Sequence, residues 1–494
     1  MDAAVATPPK SMITSKQRKS GGVPLDAIVL AAFVVGVAFL FGTNGGLYSD
    51  GDSSWHIATG QWIMANGRVP MQDPFSYTAF GKPWIAHEWL SALIMALAYQ
   101  ALGFTGISLL MSAALGLTFL IIGLRLRQWA SPVELAVVLT LVAVVLQPLM
   151  VARPMVMVWP LLALWTEAML RARDQDRVPS LWLVPLMTVW INLHASFAVG
   201  LGLTGLFTLE ALIESTDKRR AFFRWCVFGL ACTAAALINP HGLTGLLMPL
   251  GAFTSPTIGL IYEFKPTDFT KMPNFEAALM AIIAVGLWRG ARIAPVRLFL
   301  LLAMLHLALA HMRHQALFII IAGLVAAPAL TSAWIEGSTP NPPLGVILPR
   351  RERSWFLGGA LAVLGLIAIF RFPVVPPESD VNPVHAFAAL SPALKSQRVF
   401  NDYSLGGPLI LRGVHVYMDG RTDVYGDAHF AAYQRAWDGD AGAFAAAYRK
   451  WRFCWTIFPP ENRRLLRLLD GSPKWKRIYA DKFAVVHVRG RCAG

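Results

Sequence analysis

Long apolar runs broken by short polar loops fill most of this chain. Segments approaching the roughly 20 residues needed to cross a bilayer recur near 27 to 44, 86 to 102, 104 to 124, 132 to 150, 155 to 170, 179 to 193, 196 to 214, 222 to 239, 274 to 288, 297 to 311, 315 to 335 and 355 to 372. The run at 86 to 102 is short, opens on Ala86, His87 and Glu88, and stops at Gly103. That pattern suits a helix lying in the membrane interface. Leaving it aside predicts a polytopic α-helical membrane protein with about 11 spans. After Val384 the pattern changes to short β-like runs, "RVFNDY", "VHVYMD", "CWTIFPP" and "FAVVHVR", with a helical stretch at Asp440 to Trp451. These predict a small α/β domain.

Charge orients the spans. With 86 to 102 not crossing, Arg125 and Arg127, Arg171 and Arg173, Lys218 to Arg220, Arg289 and Arg292, and Arg350 to Arg353 all fall on the N-terminal side, as the positive-inside rule requires. The division is then a basic tail at 1–24, a membrane domain at 25–372 whose first outer loop is 45–103, and an outer α/β domain at 373–494. The tail carries Lys10, Lys16, Arg18 and Lys19, and no small-residue cleavage site follows. We read a retained first helix with a cytoplasmic N-terminus, in a bacterial inner membrane, with the last domain in the periplasm.

Composition agrees: of 494 residues 55% are hydrophobic and 15% charged, against about 25% charged in soluble domains, and mean hydropathy is +0.51. The formal charge of +14 sits mostly beside apolar runs, which argues for membrane orientation and against nucleic acid. Cys226, Cys232, Cys454 and Cys492 show no metal or redox spacing; Cys454 and Cys492 either pair or stay free.

The same tracing collects the polar interruptions on the outer side: 45 to 83, "VARP" with Arg153, "NLHAS" with His194, "NPHG" at Asn239 to Gly242, and "HMRHQ" with Arg313. Ionisable groups at helix ends facing one compartment are candidates for a shared functional cavity. In the first outer loop, Ser53 or Ser54 is expected to cap a helix from Trp55 to about Ala65 that ends at Gly67, with Ile57, Trp62 and Ile63 on the membrane side. Asp50 and Asp52 precede it. A carboxylate there can accept a proton from an attacking nucleophile or hold a divalent cation, or simply favour the helix N-terminus.

These features together resemble the GT-C superfamily of polyprenyl-phosphate-dependent membrane glycosyltransferases, which includes the lipid A aminoarabinose transferases and the protein O-mannosyltransferases. The residues that carry the resemblance are Asp52, Trp55 and His56, Thr59 and Gly60, Gly67 to Pro70, Asp73 to Thr78, Gly81 to Trp84 and His87 to Leu90, then Ala152 to Pro154, Asn192 to His194, Asn239 to Gly242, "NDYSLGG" and "DGRTDVYGD". In the aminoarabinose transferases the base lies fifteen residues before a helix-ending glycine, which here selects Asp52 from Gly67. Ser53 replaces the acidic residue that follows the base there, so a second carboxylate would come from Asp50.

The resemblance implies inverting transfer of a sugar from a polyprenyl-phosphate carrier to an envelope glycan, lipid or protein on the outer side, as in polysaccharide biosynthesis. Asp52 would be the base, with Asp50 as helper or joint ligand of a divalent cation. Arg153, His194 and Arg313 would meet the leaving phosphate, supported by His56, His87 and Glu88. In the α/β domain Asp402, Asp419, Arg421, Asp423 and Asp427 would bind an acceptor or dock onto the outer loops. Membrane lipids are the expected surroundings, and a protein partner stays open. The competing classes are a polymerase or ligase using lipid diphosphates, a transporter, which would show inverted repeats, and an inactive scaffold.

Overall fold

The computed structural model describes residues 24–252, 262–334 and 372–490. It is mostly helical, with a small sheet near the C-terminus. The helices of the first part are α1 (Leu25–Gly42), α2 (Asp52–Asn66), α3 (Trp89–Leu126), α4 (Pro132–Leu146), α5 (Pro154–Asp174), α6 (Val184–Leu193), α7 (Phe197–Glu214), α8 (Lys218–Ala236), α9 (Gly242–Ala252), α10 (Pro273–Arg289), α11 (Pro295–Ala310), α12 (Gln315–Val325) and α13 (Ala327–Trp334). Proline opens α4, α5, α10 and α11, where its missing N–H would have had no helical partner. Ser131 and Glu134 form a reciprocal cap at the start of α4, satisfying two otherwise open donors.

Five helices among the described residues are long and apolar enough to cross a membrane: α1, α3, α4 with its continuation to Leu149, α5 and α7. Shorter apolar helices lie at Leu181–Leu193, Gly242–Gly251, Pro295–Ala310 and Met312–Val325. The expected run at 355 to 372, apart from Phe372, lies outside the described residues, as do Arg350 to Arg353, Cys492 and most of the basic tail. The runs expected at 86 to 102 and 104 to 124 form one helix of 38 residues with a break at Leu102 and Gly103. Gly103 has φ 59° and ψ −143°, a conformation essentially confined to glycine. The arm from Trp89 to Ala101 is about 20 Å long at 1.5 Å per residue, short of the roughly 30 Å hydrocarbon core.

Ion pairs fix the direction of the bundle. Asp26 at the start of α1 meets Arg127 just after α3 at 2.7 Å. Arg125 pairs with Glu167 and Asp174 near the end of α5, at 3.0 and 2.8 Å. Arg173 reaches Glu214 at the end of α7, and Arg297 at the start of α11 reaches Glu210 and Asp174. The basic residues at 125, 127, 171 and 173 therefore share one end of the bundle with the start of α1. The other end receives the close of α1 and the starts of α3, α5 and α7. Between these ends the core is aromatic and aliphatic, with Phe119, Trp159, Trp165, Trp190 and Phe228 buried.

At that second end sits the α/β domain. Strands β1 (Val399–Asn401), β2 (Trp455–Phe458), β3 (Trp475–Ala480) and β4 (Val485–Arg489) lie in the order β1-β2-β4-β3. The β1–β2 pair is parallel and the other two are antiparallel. The expected helix appears at Ala441–Trp451, capped by the Asp440 side chain. One expectation fails. "VHVYMD" is not a strand of this sheet: Val416 bridges to Ser76 of the first outer loop, and the Thr78 hydroxyl donates to the Tyr417 carbonyl at 2.6 Å. β3 was not foreseen, because its residues are mostly exposed and include Lys476 and Arg477, an edge strand without hydrophobic alternation.

Helix α2 also differs from expectation. It begins at Asp52, and Ser53 and Ser54 are buried in its first turn without capping it. The Asp50 carboxylate takes that place by accepting the Asp52 N–H at 2.8 Å. Ile57 and Ile63 are buried, and Gly60 lies against Ala92 and Ala96 of α3, so this face packs on protein instead of lipid. Gly67 ends the helix at φ 64°, as its position foretold.

Arg125 is 5% exposed and Glu167 9%, so removing the guanidinium leaves the buried Glu167 carboxylate with only the half-exposed Arg171. Arg125→Ala is expected to lose about 3 kcal/mol of stability, read as a lower unfolding temperature of the detergent-solubilised protein.

Candidate functional site

The site starts from a turn. After α1 the Asn44 side chain accepts the Gly46 N–H at 3.0 Å, folding a 3-10 turn over Gly45–Tyr48. The Tyr48 hydroxyl lies 2.8 Å from Ser108 of α3. The Ala152 N–H donates to the Leu47 carbonyl at 2.8 Å, which pins "VARP" beside the turn. Pro154 disfavours a helical residue before it, and Arg153 is extended at φ −124° and ψ 158°. Its side chain is thereby delivered to the carboxylates that follow the turn.

Arg153 meets Asp52 through Nη2 and Oδ2 at 2.9 Å, Asp50 through Nε, and Glu263 through Nη1. Glu263 is held here because its loop is stitched to the α11–α12 junction. His311 Nδ1 lies 2.7 Å from the Phe264 carbonyl, the Met312 N–H donates to Lys265 at 3.1 Å, and the Thr267 N–H donates to Leu309 at 2.8 Å. The junction also carries Arg313, whose guanidinium lies 4.5 Å from the Phe264 ring centre. Arg313 makes no ion pair among the described residues, and its charge interacts with Glu263 and Arg153. Side-chain exposures of 22% for Arg153, 19% for Asp52 and 30% for Glu263 leave the cluster partly open to solvent.

One guanidinium against three carboxylates leaves the cluster short of positive charge. Burial, with Asp50 and Glu263 adding to it and Arg153 opposing, pushes the Asp52 carboxyl up to about 7. A carboxylate there is half-protonated near neutral pH and suits general-base work. Among the described residues no group of three or more His, Cys, Asp or Glu is arranged to hold a metal ion. Asp50 and Asp52 converge on Arg153 instead.

A second cluster surrounds Glu88, at the N-terminal edge of α3. His56 Nε2 lies 3.5 Å from its carboxylate, His87 Nε2 3.6 Å and His194 Nε2 3.4 Å. His194 Nδ1 accepts the Ser196 N–H at 3.0 Å, which puts the ring's own proton on Nε2, toward Glu88. Burial works against a charged Glu88, but the imidazoles, His87 foremost, outweigh it and hold the carboxyl well below its usual range. Burial lowers His56 to about 4, whereas Glu88 outweighs burial at His87 and raises it. His87 is thus the member of the set whose charged form Glu88 favours. It also lines a small cleft with Trp89, Asn192, Asn239, Pro240 and His241. Trp89 Nε1 donates to Asn192 at 2.7 Å, and Asn192 donates to the Ile238 carbonyl at 2.9 Å, so the "NLH" and "NPHG" segments do meet.

Asp419, Arg421 and Asp402 lie elsewhere in function. Arg421 binds Asp419 through Nε at 2.8 Å and Nη2 at 2.7 Å, and Asp73 of the first outer loop through Nη1 at 2.8 Å. The Tyr425 hydroxyl donates to Asp419 at 2.6 Å. Arg421 and both carboxylates are almost wholly buried. Asp402 accepts from Ser404 and, at 2.7 Å, from Trp437 Nε1. Arg421 docks the domain onto the 45–103 loop through Asp73, whereas Asp402 is engaged within its own domain. Arg153 differs likewise from its expected phosphate contact, since all its donor nitrogens face carboxylates.

Sequence reasoning missed Glu263 and Asp73. The first is a lone carboxylate in a loop whose partner is 110 positions earlier. The second sat within a quoted motif, "DPFSYT", where Asp-Pro reads as a turn; it does accept the Phe75 and Ser76 N–H groups, and the ion pair lies beyond local reach.

Arg153→Ala would leave three carboxylates facing one another. Asp52 would then bind its proton still more tightly in the folded state than in the unfolded chain, so folding stability is lost as pH rises above the ordinary carboxyl range of about 4. The variant is expected to unfold near the wild-type temperature at pH 5 and well below it at pH 8, in a thermal-shift series across pH.

Comparison with known proteins finds no family model that matches the chain and no curated protein similar to it.

Proposed function

We propose that the protein is a membrane glycosyltransferase of GT-C type, moving one sugar from a polyprenyl-phosphate carrier to an envelope glycan, lipid or protein with inversion at the sugar's C1. The observation that carries this reading is a carboxylate poised near neutrality, Asp52, within electrostatic reach of a guanidinium, Arg313, that makes no ion pair among the described residues. Group transfer from a lipid phosphate needs both. In the reaction the acceptor oxygen attacks C1 and the bond from C1 to the phosphate oxygen breaks. Its electron pair goes to the phosphate and the acceptor's proton to Asp52. Arg313 stabilises the charge that grows on the leaving phosphate. Arg153 holds Asp50 and Asp52 in place and keeps the ionised form of Asp52 accessible.

The placement in the membrane belongs to the same proposal. The basic residues at the Asp26 end of the bundle suit a cytoplasmic face, which would put the Asp52 cluster and the α/β domain on the periplasmic side of a bacterial inner membrane. About eleven spans satisfy that orientation, with the Trp89–Ala101 arm lying at the interface.

The test is transfer by membranes containing the protein, using undecaprenyl-phosphate-linked hexoses and pentoses as donors. Asp52→Asn is expected to abolish turnover at unchanged expression, and near-normal turnover would sink the assignment. Arg313→Ala is expected to lower turnover about 100-fold. Because Asp52 acts ionised and titrates near 7, the wild-type rate should fall as pH drops through about 7. A carboxylate with an ordinary value would hold the rate flat to about pH 5.

A further inference from the structure

The two oxygens of Asp52 have different neighbours. Oδ2 faces Arg153. Oδ1 occupies the place where a Cβ on residue 420 would stand, 1.9 Å from that ideal position, with Cγ at 2.7 Å. Gly420 has no left-handed φ, so its glycine serves space and not backbone conformation. It comes from the α/β domain, and its flanking residues cannot easily retreat. On one side Asp419 is gripped by Arg421 and Tyr425, and on the other Arg421 spans Asp419 and Asp73. Gly420 also accepts the Thr422 N–H at 3.0 Å. A second close approach keeps the domain in register, where Gly51 and Gly407 pass so near that a Cβ on Gly407 would lie 2.2 Å from the Gly51 carbonyl.

We propose that Gly420 is a positioning residue for Asp52: its bare backbone on one oxygen and Arg153 on the other fix the carboxylate's rotation, so the site is complete only with the α/β domain docked. This rests on the reading of Asp52 as the base. An alanine at 420 meets a turn that is locked and a carboxylate that can rotate. The carboxylate therefore yields, swinging Oδ2 away from Arg153, and its protonated form persists to higher pH.

The experiment uses the full-length protein in detergent. A carbodiimide with glycine ethyl ester labels protonated carboxyls, and peptide mass spectrometry reads the labelled fraction at Asp52 across pH. Gly420→Ala is expected to move the midpoint up by about one pH unit. Turnover on the undecaprenyl-phosphate donors should drop about 100-fold, with the donor KM within about twofold. Gly490→Ala, in the same domain and facing open space, should change neither. An unchanged or lowered midpoint in folded Gly420→Ala overturns the proposal. If that variant does not fold, Tyr425→Phe carries the test: loosening Asp419 should displace the midpoint in the same direction by less, and a wild-type midpoint overturns the proposal. Labelling does not require transfer. Turnover absent from the wild type on every donor would remove the glycosyl-transfer reading and still leave the midpoints to decide this one.

Discussion

Arg153 carries one positive charge and meets carboxylates from three separate stretches of chain: Asp50 and Asp52 after α1, and Glu263 before α10. Removing a half-buried cation from such a set leaves its carboxylates facing one another uncompensated, which costs more than the pairs stabilise. The close of α1, the start of α5 and the Glu263 loop therefore have to arrive together. The hydrogen bond from Ala152 to Leu47 and the ladder between the Glu263 loop and the α11–α12 junction are the backbone means by which they do. Burial is what raises the Asp52 carboxyl toward neutrality, with Asp50 and Glu263 adding to it and Arg153 opposing.

The α/β domain closes this arrangement from the outside. Its most heavily charged turn, Asp419 to Asp423, spends its guanidinium on Asp73 and lays Gly420 against Asp52. A buried, fully hydrogen-bonded arginine clamp of this kind gives geometric precision more than net stability. The Glu88 cluster behind it follows the same economy of charge: one carboxylate faces three imidazoles, and only His87 is raised. No large net charge is stranded there.

The chain announced its membrane class, its helix starts at prolines and its helix end at Gly67, because those depend on apolar length and on local backbone chemistry within a few residues. It also announced that Asp50, Asp52, Arg153, His194 and Arg313 belong to one face, since loop charge orders helix ends without any knowledge of packing. Which charge meets which was not legible. The capping of α2 by Asp50 instead of a serine, the burial of Ile57 and Ile63 against α3, the engagement of Arg153 by Glu263 and the capture of "VHVYMD" by the first outer loop all join residues distant in sequence or compete with an equally good local alternative. Such choices are decided by desolvation: a charge or an apolar face takes the partner that leaves least unsatisfied once every element is packed. The sequence by itself determined the helices, their polarity and the candidate groups, whereas the tertiary structure alone decided the surroundings that raise the Asp52 carboxyl, because a carboxyl's proton affinity depends on what surrounds it in space and not along the chain.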